Sequence, residues 1–295
     1  MSNDTKTASA PRAFGADWSA EPLPSVRFGR RITLAPWPRQ LEWLRASIKK
    51  LAWTAVEARH VTTPVRYAVH ELATGGQGVY ALRDGSSRFV VRHRSGDIEI
   101  FRKFYGYGYY RLPDEVASRL RSLGRPVNVL DLGANVGFFE VFTRDRLPIG
   151  QVVCLEPDPY NAAVLEQVRA ENGAGWQIVR ACASNKDDTV QFNTGRKNLS
   201  RVGSAGDITI ASKDVFPLIA DADLVKMNIE GSEWEVLRDP RLATTSVSWI
   251  VEYHRIANPE PDIHALARAL FERAGYTVRQ AQEGDANGLL WAWKA

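Results

Sequence analysis

The sequence predicts an α/β protein with a mainly parallel sheet, preceded by an N-terminal helical and antiparallel β extension. From residue 125 onward, short apolar runs alternate with helical patterns, which is typical of βαβ units. The run Val127–Leu132 leads into a glycine turn that opens a helix through Phe139. The last two runs, Tyr276–Gln280 and Leu289–Trp293, are joined by a short polar loop, so we expect them to be antiparallel and to give the sheet a mixed edge.

The composition is that of a globular protein. Of the 295 residues, 44% are hydrophobic and 24% are charged, which argues against global disorder and against a coiled coil. No apolar run approaches the roughly 18 residues that a membrane span needs. The first residues lack the apolar core of a secretory signal, so we expect a cytoplasmic location. The two cysteines, Cys154 and Cys182, are too few for a disulfide scaffold or a cysteine zinc site.

The positive charge is concentrated at the start of the chain. The formal net charge is +4, but residues 1–60 hold 10 Lys and Arg against 5 Asp and Glu, whereas residues 61–295 hold 28 against 29. A balanced body does not favour a phosphate-tracking groove, so we expect a small-molecule substrate and no nucleic-acid partner. For the basic N-terminal region, an acidic partner, cover over the active site and self-association into a homo-oligomer are all open.

The sequence divides into three regions. Residues 1–38 are rich in Pro, Ala and Arg and predict an irregular leader. Residues 39–124 predict a helix followed by a small antiparallel β subdomain, which could serve as a cap, a substrate region or a dimer region. Residues 125–295 predict the cofactor-binding domain.

A basic amphipathic helix is predicted over Gln40–Arg59. Its apolar positions recur at steps of three and four, which indicates one buried face. These positions are Leu41, Leu44, Ile48, Leu51 and Ala55. We expect this face to dock on the protein's own body or on a second subunit, with a membrane surface as the alternative.

Between residues 61 and 110, the apolar residues occur in short alternating or continuous runs. Three runs separated by glycine turns predict a meander of antiparallel strands. They are Val79–Leu82, Arg88–Arg92 and Asp97–Phe101. The segment Pro113–Leu123 then predicts a helix, which ends at Gly124.

In the main domain, strands and helices are predicted in alternation. Besides the runs named above, the predicted strands are Val152–Leu155, Gln177–Ala181, Leu224–Ile229 and Ser248–Tyr253. The further predicted helices run from Tyr160 to about Ala170, around Trp234–Leu237 and over Asp262–Ala274.

The glycine turn after the first of these strands carries the strongest motif. A dinucleotide fingerprint starting at Gly133 would need glycines where the chain has Asn135 and Phe138. What remains is an acid followed by G-x-x-x-G, formed by Asp131, Gly133 and Gly137, and it resembles motif I of class I S-adenosylmethionine-dependent methyltransferases. A carboxylate at this turn suits a cationic cofactor that has no phosphate. We therefore count Asn135 with the acid and the glycines among the cofactor-binding residues.

Further cofactor contacts are expected at the ends of the next two strands. Nineteen residues past Gly137, Glu156 ends the second strand and is followed by Pro157. A carboxylate at this place can accept hydrogen bonds from both ribose hydroxyls. The third strand ends near Cys182 and Ala183, whose small side chains leave room for an adenine ring. We expect Cys182 to be a small buried residue and not a nucleophile.

Three motifs in order resemble the FkbM family of methyltransferases. They are Asp131-Leu-Gly-Ala-Asn-Val-Gly-Phe, Glu156-Pro-Asp and Lys226-Met-Asn-Ile-Glu-Gly-Ser-Glu. The resemblance covers roughly residues 125–280 and implies a Rossmann-like seven-stranded fold, S-adenosylmethionine as methyl donor, and usually O-methylation of a small molecule such as a sugar, a polyketide or another secondary metabolite. The family has Asp where this chain has Asn228, an amide that cannot act as a base but can hydrogen-bond the cofactor's amino group or a substrate hydroxyl.

A hydroxyl acceptor needs a base near the ends of the fourth and fifth strands. The candidate catalytic residues are Glu230, Glu252 and His254. Alternation places Glu252 and His254 on one side of their strand, where a carboxylate can set the tautomer of the imidazole, so we favour His254 as the base. The alternatives are a structural pair between these two and a role for Glu230 at the start of the next helix. Glu233 is expected to contact the substrate.

Two tyrosines are predicted to approach the site of methyl transfer. Tyr107 and Tyr109 are separated by Gly108, and such a segment can form a mobile lid. Packing in the core is the alternative for each tyrosine.

Other functions also stay open. The acceptor could be an amine or a carbon atom, and Asn228 lends some support to a non-catalytic binding protein. A nucleic-acid methyltransferase is disfavoured because the fourth strand lacks an Asn/Asp-Pro-Pro-aromatic signature. The metal requirement is open, and no metal ligand is assigned, because the acids and the histidine of this region have no diagnostic spacing.

Overall fold

The structure is a computed structural model, and it describes residues 41–194, 201–202, 206–256 and 260–294. The predicted leader, residues 1–38, lies outside the described residues. A boundary between two units of the chain falls between Ser47 and Ile48. Of the first unit, residues 41–47 are described, and they contain the start of helix α1. The description below concerns the second unit.

The described residues form nine α-helices. In chain order they are α1 (Glu42–Ala58), α2 (Pro64–Val69), α3 (Asp97–Phe101), α4 (Asp114–Ser122), α5 (Phe138–Arg144), α6 (Pro159–Glu171), α7 (Phe216–Ile219), α8 (Glu233–Leu237) and α9 (Ile263–Arg273). Two π-helical turns, His70–Thr74 and Arg102–Gly106, directly continue α2 and α3. Among the described residues, no helix is both long and apolar enough to cross a membrane.

The strands form three sheets. They are β1 (Gln77–Ala81), β2 (Arg88–Arg92), β3 (Val127–Leu132), β4 (Ile149–Leu155), β5 (Gln177–Val179), β6 (Cys182–Ser184), β7 (Asp188–Asn193), β8 (Arg201–Val202), β9 (Ile208–Asp214), β10 (Leu224–Met227), β11 (Ser248–His254), β12 (Thr277–Glu283) and β13 (Asn287–Trp293). Strands β1 and β2 form a hairpin, and β6 to β9 form a four-stranded sheet.

The main sheet has seven strands in the order β12-β13-β11-β10-β3-β4-β5. Neighbours from β11 to β5 are parallel, and β13 lies antiparallel between β11 and β12. This confirms the predicted α/β fold with a mostly parallel, mixed seven-stranded sheet of the Rossmann-like type.

The central strands are apolar because both of their faces are covered. Every residue of β10 and of β11 is buried, as expected for parallel strands between two layers of helices. Along β3 the side chains alternate between two apolar clusters: Val127 and Val129 belong to one, and Leu130 and Leu132 to the other. The sheet therefore separates two cores.

The N-terminal subdomain packs into the first of these cores. Its Phe101 ring stacks on Phe89 with ring centroids 5.0 Å apart and lies 5.7 Å from Phe138 at the start of α5. Phe104 stacks on Tyr110 at 4.1 Å. These aromatic contacts fix the segment from α3 to Tyr110 over the edge of the sheet where β3 ends.

The segment Asp97–Phe101, predicted as a strand, is helix α3. The alternation of Ile98 and Ile100 is misleading, because the buried apolar side chains are Ile98, Phe101 and Phe104, at the spacing of a helix. The Asp97 carboxylate also accepts hydrogen bonds from the backbone and guanidinium of Arg92, which turns the chain before the helix. The predicted three-stranded meander is thus a two-stranded hairpin.

Helix α1 buries a different face from the predicted one. Within the second unit, Ile48 and Leu51 are exposed, whereas Thr54 and Glu57 are buried. Glu57 accepts a hydrogen bond from Tyr67 at 3.2 Å, and its other oxygen pairs with Arg102. A polar network therefore selects the packed face, and a count of apolar positions does not detect such a network.

The third predicted strand, Gln177–Ala181, ends early. Strand β5 stops at Val179, and the chain then enters the small sheet through β6. Strands β6, β7, β8 and β9 form an insertion between β5 and α7 that the sequence did not predict. It brings β6 to the end of the main sheet beside the turn after β4.

Candidate active site

A cavity opens at the carboxyl ends of β3, β4 and β10. With its open mouth it contains about 930 Å³ of empty space. The described residues that line it are Ile100, Lys103, Phe104, Tyr110, Gly133, Ala134, Asn135, Phe138, Phe139, Glu156, Pro157, Asn161, Cys182, Ala183, Phe192, Lys226, Asn228, Ile229, Glu230 and Ser232.

The floor of the cavity is the glycine turn after β3. Gly133 has φ 81° and Gly137 has φ 85°, conformations that favour glycine. A side chain at Gly133 would also collide with the carbonyl oxygen of Asn228. Asn135 adopts φ 52° and presents its backbone N–H to Glu156. The turn thus needs glycine for close contact between two chain segments, and it leaves backbone groups facing the cavity.

Glu156 stands at one end of the cavity. Its two oxygens accept hydrogen bonds from the backbone N–H groups of Asn135, at 2.7 Å, and Asp158, at 2.9 Å. Burial raises the pKa of Glu156 to about 7, against the effect of these hydrogen bonds. Each carboxylate oxygen keeps acceptor capacity for a hydroxyl.

Three small or flat side chains surround the same end. Cys182 and Ala183 come from β6, and Phe192 comes from β7, so the insertion supplies this wall. Burial raises the pKa of Cys182 to about 12, which keeps it a neutral thiol at neutral pH. The group can therefore accommodate a flat ring by packing.

Asp131 lies below the cavity floor and is fully buried. Its carboxylate pairs with Lys226 on the neighbouring strand, with Nζ and Oδ1 2.9 Å apart, and Lys226 also donates to the carbonyl of Gly133. Among the described residues lining the cavity, Lys226 is present and Asp131 is not. The motif acid, expected at the cofactor, therefore acts on the turn through a lysine.

A second buried acid accompanies this pair. Burial and the charge of Asp131 raise the pKa of Glu140 well above its usual range. Glu140 also accepts a hydrogen bond from the Cys154 thiol at 3.0 Å. One negative charge, that of Asp131, thus faces one positive charge, that of Lys226, beneath the floor.

The other end of the cavity is organised around Glu252. This buried carboxylate accepts hydrogen bonds from four side chains on different segments. The donors are Lys103 at 2.7 Å, Asn287 at 2.8 Å, Tyr110 at 3.0 Å and Asn228 at 3.1 Å. Burial alone would raise the pKa of Glu252, but the charge and hydrogen bond of Lys103 lower it below the usual value. Glu252 is therefore an ionised anchor, and it does not line the cavity among the described residues.

Glu230 is the carboxyl group of this end that does line the cavity. Its Oε2 lies 3.7 Å from Nε2 of His254. Burial raises the pKa of Glu230 to about 7. Burial alone would lower the pKa of His254, but the hydrogen bond with Glu233 and two further carboxylates raise it to about 9. At neutral pH, His254 is therefore a cation beside Glu230.

Glu233 lies under the loop between β10 and α8. It is fully buried and accepts hydrogen bonds from the backbone N–H groups of Ile229 and Gly231, as well as facing Nδ1 of His254 at 3.0 Å. Glu233 is not among the described residues that line the cavity, so its substrate contact stays a prediction. Within the described residues, no group of three or more His, Cys, Asp and Glu side chains has the geometry to hold a metal ion.

The predicted tyrosine pair lies away from the cavity. Tyr107 stacks on Tyr109 with centroids 5.0 Å apart and meets Trp53 edge-on at the same distance. Neither tyrosine belongs to the described cavity lining. The neighbouring Tyr110 does, and its hydroxyl reaches Glu252. The sequence predicted that this segment approaches the site, but the tyrosine that lines the cavity is Tyr110 and not Tyr107 or Tyr109.

Several residues that line the cavity were not predicted by any sequence motif. Lys103, Phe104 and Tyr110 come from the N-terminal subdomain, and Phe192 comes from the insertion. The signal available for the first three was the dense aromatic stretch before Pro113. For Phe192 the sequence holds no signal, because the position depends on how the small sheet packs.

The fold and this site define a class of enzyme. A seven-stranded sheet with one antiparallel strand, a glycine turn after β3 and an acid after β4 together give a methyltransferase of the Rossmann-like class. The Methyltransferase FkbM domain matches residues 131–278, which is half of the chain, and the chain belongs to the FkbM family of methyltransferases.

Solved structures that match parts of the chain include methyltransferases. The FkbM methyltransferase from Methylobacillus flagellatus is 14% identical, with a TM-score of 0.43, and the match covers 85% of this chain and 60% of that one. A precorrin-6y C5,15-methyltransferase from Geobacter metallireducens is 16% identical, with a TM-score of 0.37, over 61% of this chain and 87% of that one. A ribosomal protein L11 methylase from Lactobacillus delbrueckii subsp. bulgaricus is 12% identical, with a TM-score of 0.34, over 61% and 78%. No curated protein matches the sequence.

Proposed function

We propose that the protein transfers the methyl group of S-adenosylmethionine to a hydroxyl group of a small molecule, with Glu230 as the base. The observation that carries the proposal is the position of Glu230: it lines the cavity at the end opposite Glu156 and has a pKa of about 7. A group with this pKa is half ionised near neutral pH, where general bases are most effective.

The cavity fits the cofactor at its floor and at the Glu156 end. The Gly133 turn permits close approach of a ligand, and Glu156 can accept hydrogen bonds from ribose hydroxyls. Cys182, Ala183 and Phe192 would pack on the adenine. When bound, the cofactor supplies an electrophilic methyl group on a sulfonium.

His254 is better suited to support the base than to be the base. With a pKa of about 9, its ring is already protonated at neutral pH and cannot take up a proton. Its positive charge stabilises the ionised form of Glu230 across 3.7 Å. Glu233 holds the imidazole from the other nitrogen and thereby orients it. We therefore assign proton uptake to Glu230 and a supporting role to His254.

A hydroxyl acceptor agrees with a positioned base. A neutral hydroxyl is a weak nucleophile that needs a base to take its proton as it attacks, whereas a neutral amine is nucleophilic enough to attack before it loses a proton. The N-terminal residues Phe104 and Tyr110 narrow the cavity above this end and reduce access of water. A small molecule with both polar and apolar surface suits a wall that carries Lys103 and Ile100 as well.

Calorimetric titration with S-adenosylmethionine and S-adenosylhomocysteine tests the first half of the proposal. Both compounds should bind at one site per chain. If neither compound binds, the proposed cofactor is wrong. For the second half, the protein and labelled cofactor are incubated with matched pairs of acceptors, each pair differing only in a hydroxyl or an amine. Mass spectrometry should find the added methyl on oxygen. Methylation confined to nitrogen or carbon would contradict the assignment.

A further inference from the structure

The side-chain amide of Asn228 has one satisfied group and one unsatisfied group. Its Nδ2 donates a hydrogen bond to Oε2 of Glu252 at 3.1 Å. Its Oδ1 is buried and has no hydrogen-bond partner among the described residues. Asn228 also lines the cavity. A buried acceptor without a partner is costly, so this oxygen is suited to a donor on a bound molecule.

Glu252 decides which end of the amide turns away from it. An ionised carboxylate only accepts hydrogen bonds, and Lys103 keeps Glu252 ionised by lowering its pKa. The NH₂ group of Asn228 must therefore point at Glu252 and the oxygen must point elsewhere. An aspartate at position 228, as in the family pattern, could not donate to Glu252. The amide and the buried acid are thus a matched pair.

We infer that Glu252 is a positioning residue of the cofactor's amino-acid subsite: it turns the Asn228 amide so that Oδ1 accepts a hydrogen bond from the cofactor's ammonium group. This inference rests on the proposed function, because it requires the cofactor to bind. It replaces the expectation that Glu252 takes part in proton transfer.

The location of Asn228 supports an ammonium donor. Its backbone lies directly on the glycine turn, since a side chain at Gly133 would collide with its carbonyl oxygen. The carbonyl of Gly133 is already engaged by Lys226, so it is less available to a ligand. The Asn228 oxygen therefore supplies an acceptor at the turn.

The cofactor product S-adenosylhomocysteine and the cofactor analogue 5′-methylthioadenosine isolate this contact. Both contain the thioadenosine part, but 5′-methylthioadenosine lacks the ammonium and carboxylate groups. Titration calorimetry with each compound gives an affinity ratio that reports the amino-acid subsite alone. The variants are Asn228→Ala, Glu252→Gln and the double variant. Asn185→Ala is the matched control, because it removes an amide bonded to a carboxylate, Asp239, away from the cavity lining.

Asn228→Ala should weaken S-adenosylhomocysteine binding about tenfold or more and leave 5′-methylthioadenosine binding within about twofold. Glu252→Gln should act in the same selective way. Its single remaining oxygen will stay with the charged Lys103, so its NH₂ group will meet Asn228 and turn the amide oxygen away from the cavity. Because Glu252 acts through Asn228, Glu252→Gln should add less than about twofold in the Asn228→Ala background.

Equal losses for the two compounds in Asn228→Ala overturn the inference, as do losses that multiply in the double variant. Equal losses in Asn228→Ala overturn the inference even if Glu252→Gln fails to fold, which thermal melting reveals. Asn228→Ala itself should fold, because Glu252 keeps three other donors when Asn228 is truncated. Failure of the proposed function has a different signature: the unmodified protein would bind neither compound.

Discussion

The carboxylate of Glu233 holds the backbone on both sides of Glu230. It accepts hydrogen bonds from Ile229 N–H at 2.9 Å and from Gly231 N–H at 2.8 Å. Between them, Glu230 has a φ of 54°, a backbone angle that residues other than glycine rarely adopt. A buried residue thus maintains an unfavourable backbone conformation that sends the Glu230 side chain into the cavity, as is common at functional sites.

Replacement of the proposed base should affect turnover and leave cofactor binding intact. Glu230→Gln removes the proton acceptor while keeping the size of the side chain, so turnover should fall about 10²–10⁴-fold. In the unmodified protein, kcat should rise as pH increases through about 7, where Glu230 loses its proton. Initial rates from pH 5.5 to 8.5 measure both effects. The exposed Glu235→Gln is the control, and a Glu230→Gln loss below tenfold would reject the assignment.

Glu233→Gln should lower the free energy of unfolding. The glutamine oxygen can accept one of the two backbone hydrogen bonds, and its NH₂ group would face the other backbone N–H. A buried donor left without an acceptor costs about 1–3 kcal/mol. Urea denaturation measures the change, and Glu235→Gln on the same helix should stay within about 0.5 kcal/mol because its side chain is exposed. If the two variants are equally stable, Glu233 does not support the loop.

Cofactor affinity should strengthen with increasing pH. The pKa of Glu156 is about 7 in the folded protein, and the ionised form is the one that accepts two ribose hydroxyls. Between pH 6 and pH 8 the ionised fraction rises about tenfold, so the Kd for S-adenosylhomocysteine should fall by about the same factor. Calorimetry at several pH values measures this trend. Glu156→Gln should bind weakly at every pH, and a pH trend unchanged by this substitution would exclude Glu156 as its source.

Alanine substitutions at two glycines distinguish the cost of backbone strain from the cost of a steric collision. Gly133 and Gly173 both have positive φ, but a side chain at Gly133 meets the Asn228 carbonyl and one at Gly173 meets nothing nearby. Gly173→Ala should cost about 1–2 kcal/mol for the left-handed conformation. Gly133→Ala should cost about 1–3 kcal/mol more and weaken cofactor binding. Urea denaturation and calorimetry test both variants, and equal costs would disprove the close contact.

The main sheet was predictable because its strands are short apolar runs with strong turn signals. The glycine turn and Glu156 follow these strands directly, so their place at the cavity could be deduced from chain order. The chemistry of the acids could not be deduced in the same way. Asp131 matches its motif, yet its charge is taken up by Lys226, which lies 95 residues further along the chain.

The protonation of the candidate bases could not be deduced from the sequence either. Alternation correctly placed Glu252 and His254 on one strand, but proton affinity depends on neighbours from distant segments. Lys103 lowers the pKa of Glu252, and three carboxylates raise the pKa of His254. The insertion that supplies Phe192 was missed because its strands contribute little apolar patterning of their own.

The cavity wall around Tyr110 has a practical consequence for trimming the chain. The family domain begins at residue 131 and ends at residue 278, so Lys103, Phe104 and Tyr110 lie upstream of it and strand β13 lies downstream. A fragment cut to those limits would retain every signature motif, yet it would expose the edge of β11 and lose three donors of Glu252. The smallest catalytic unit is therefore larger than the stretch by which the family is recognised.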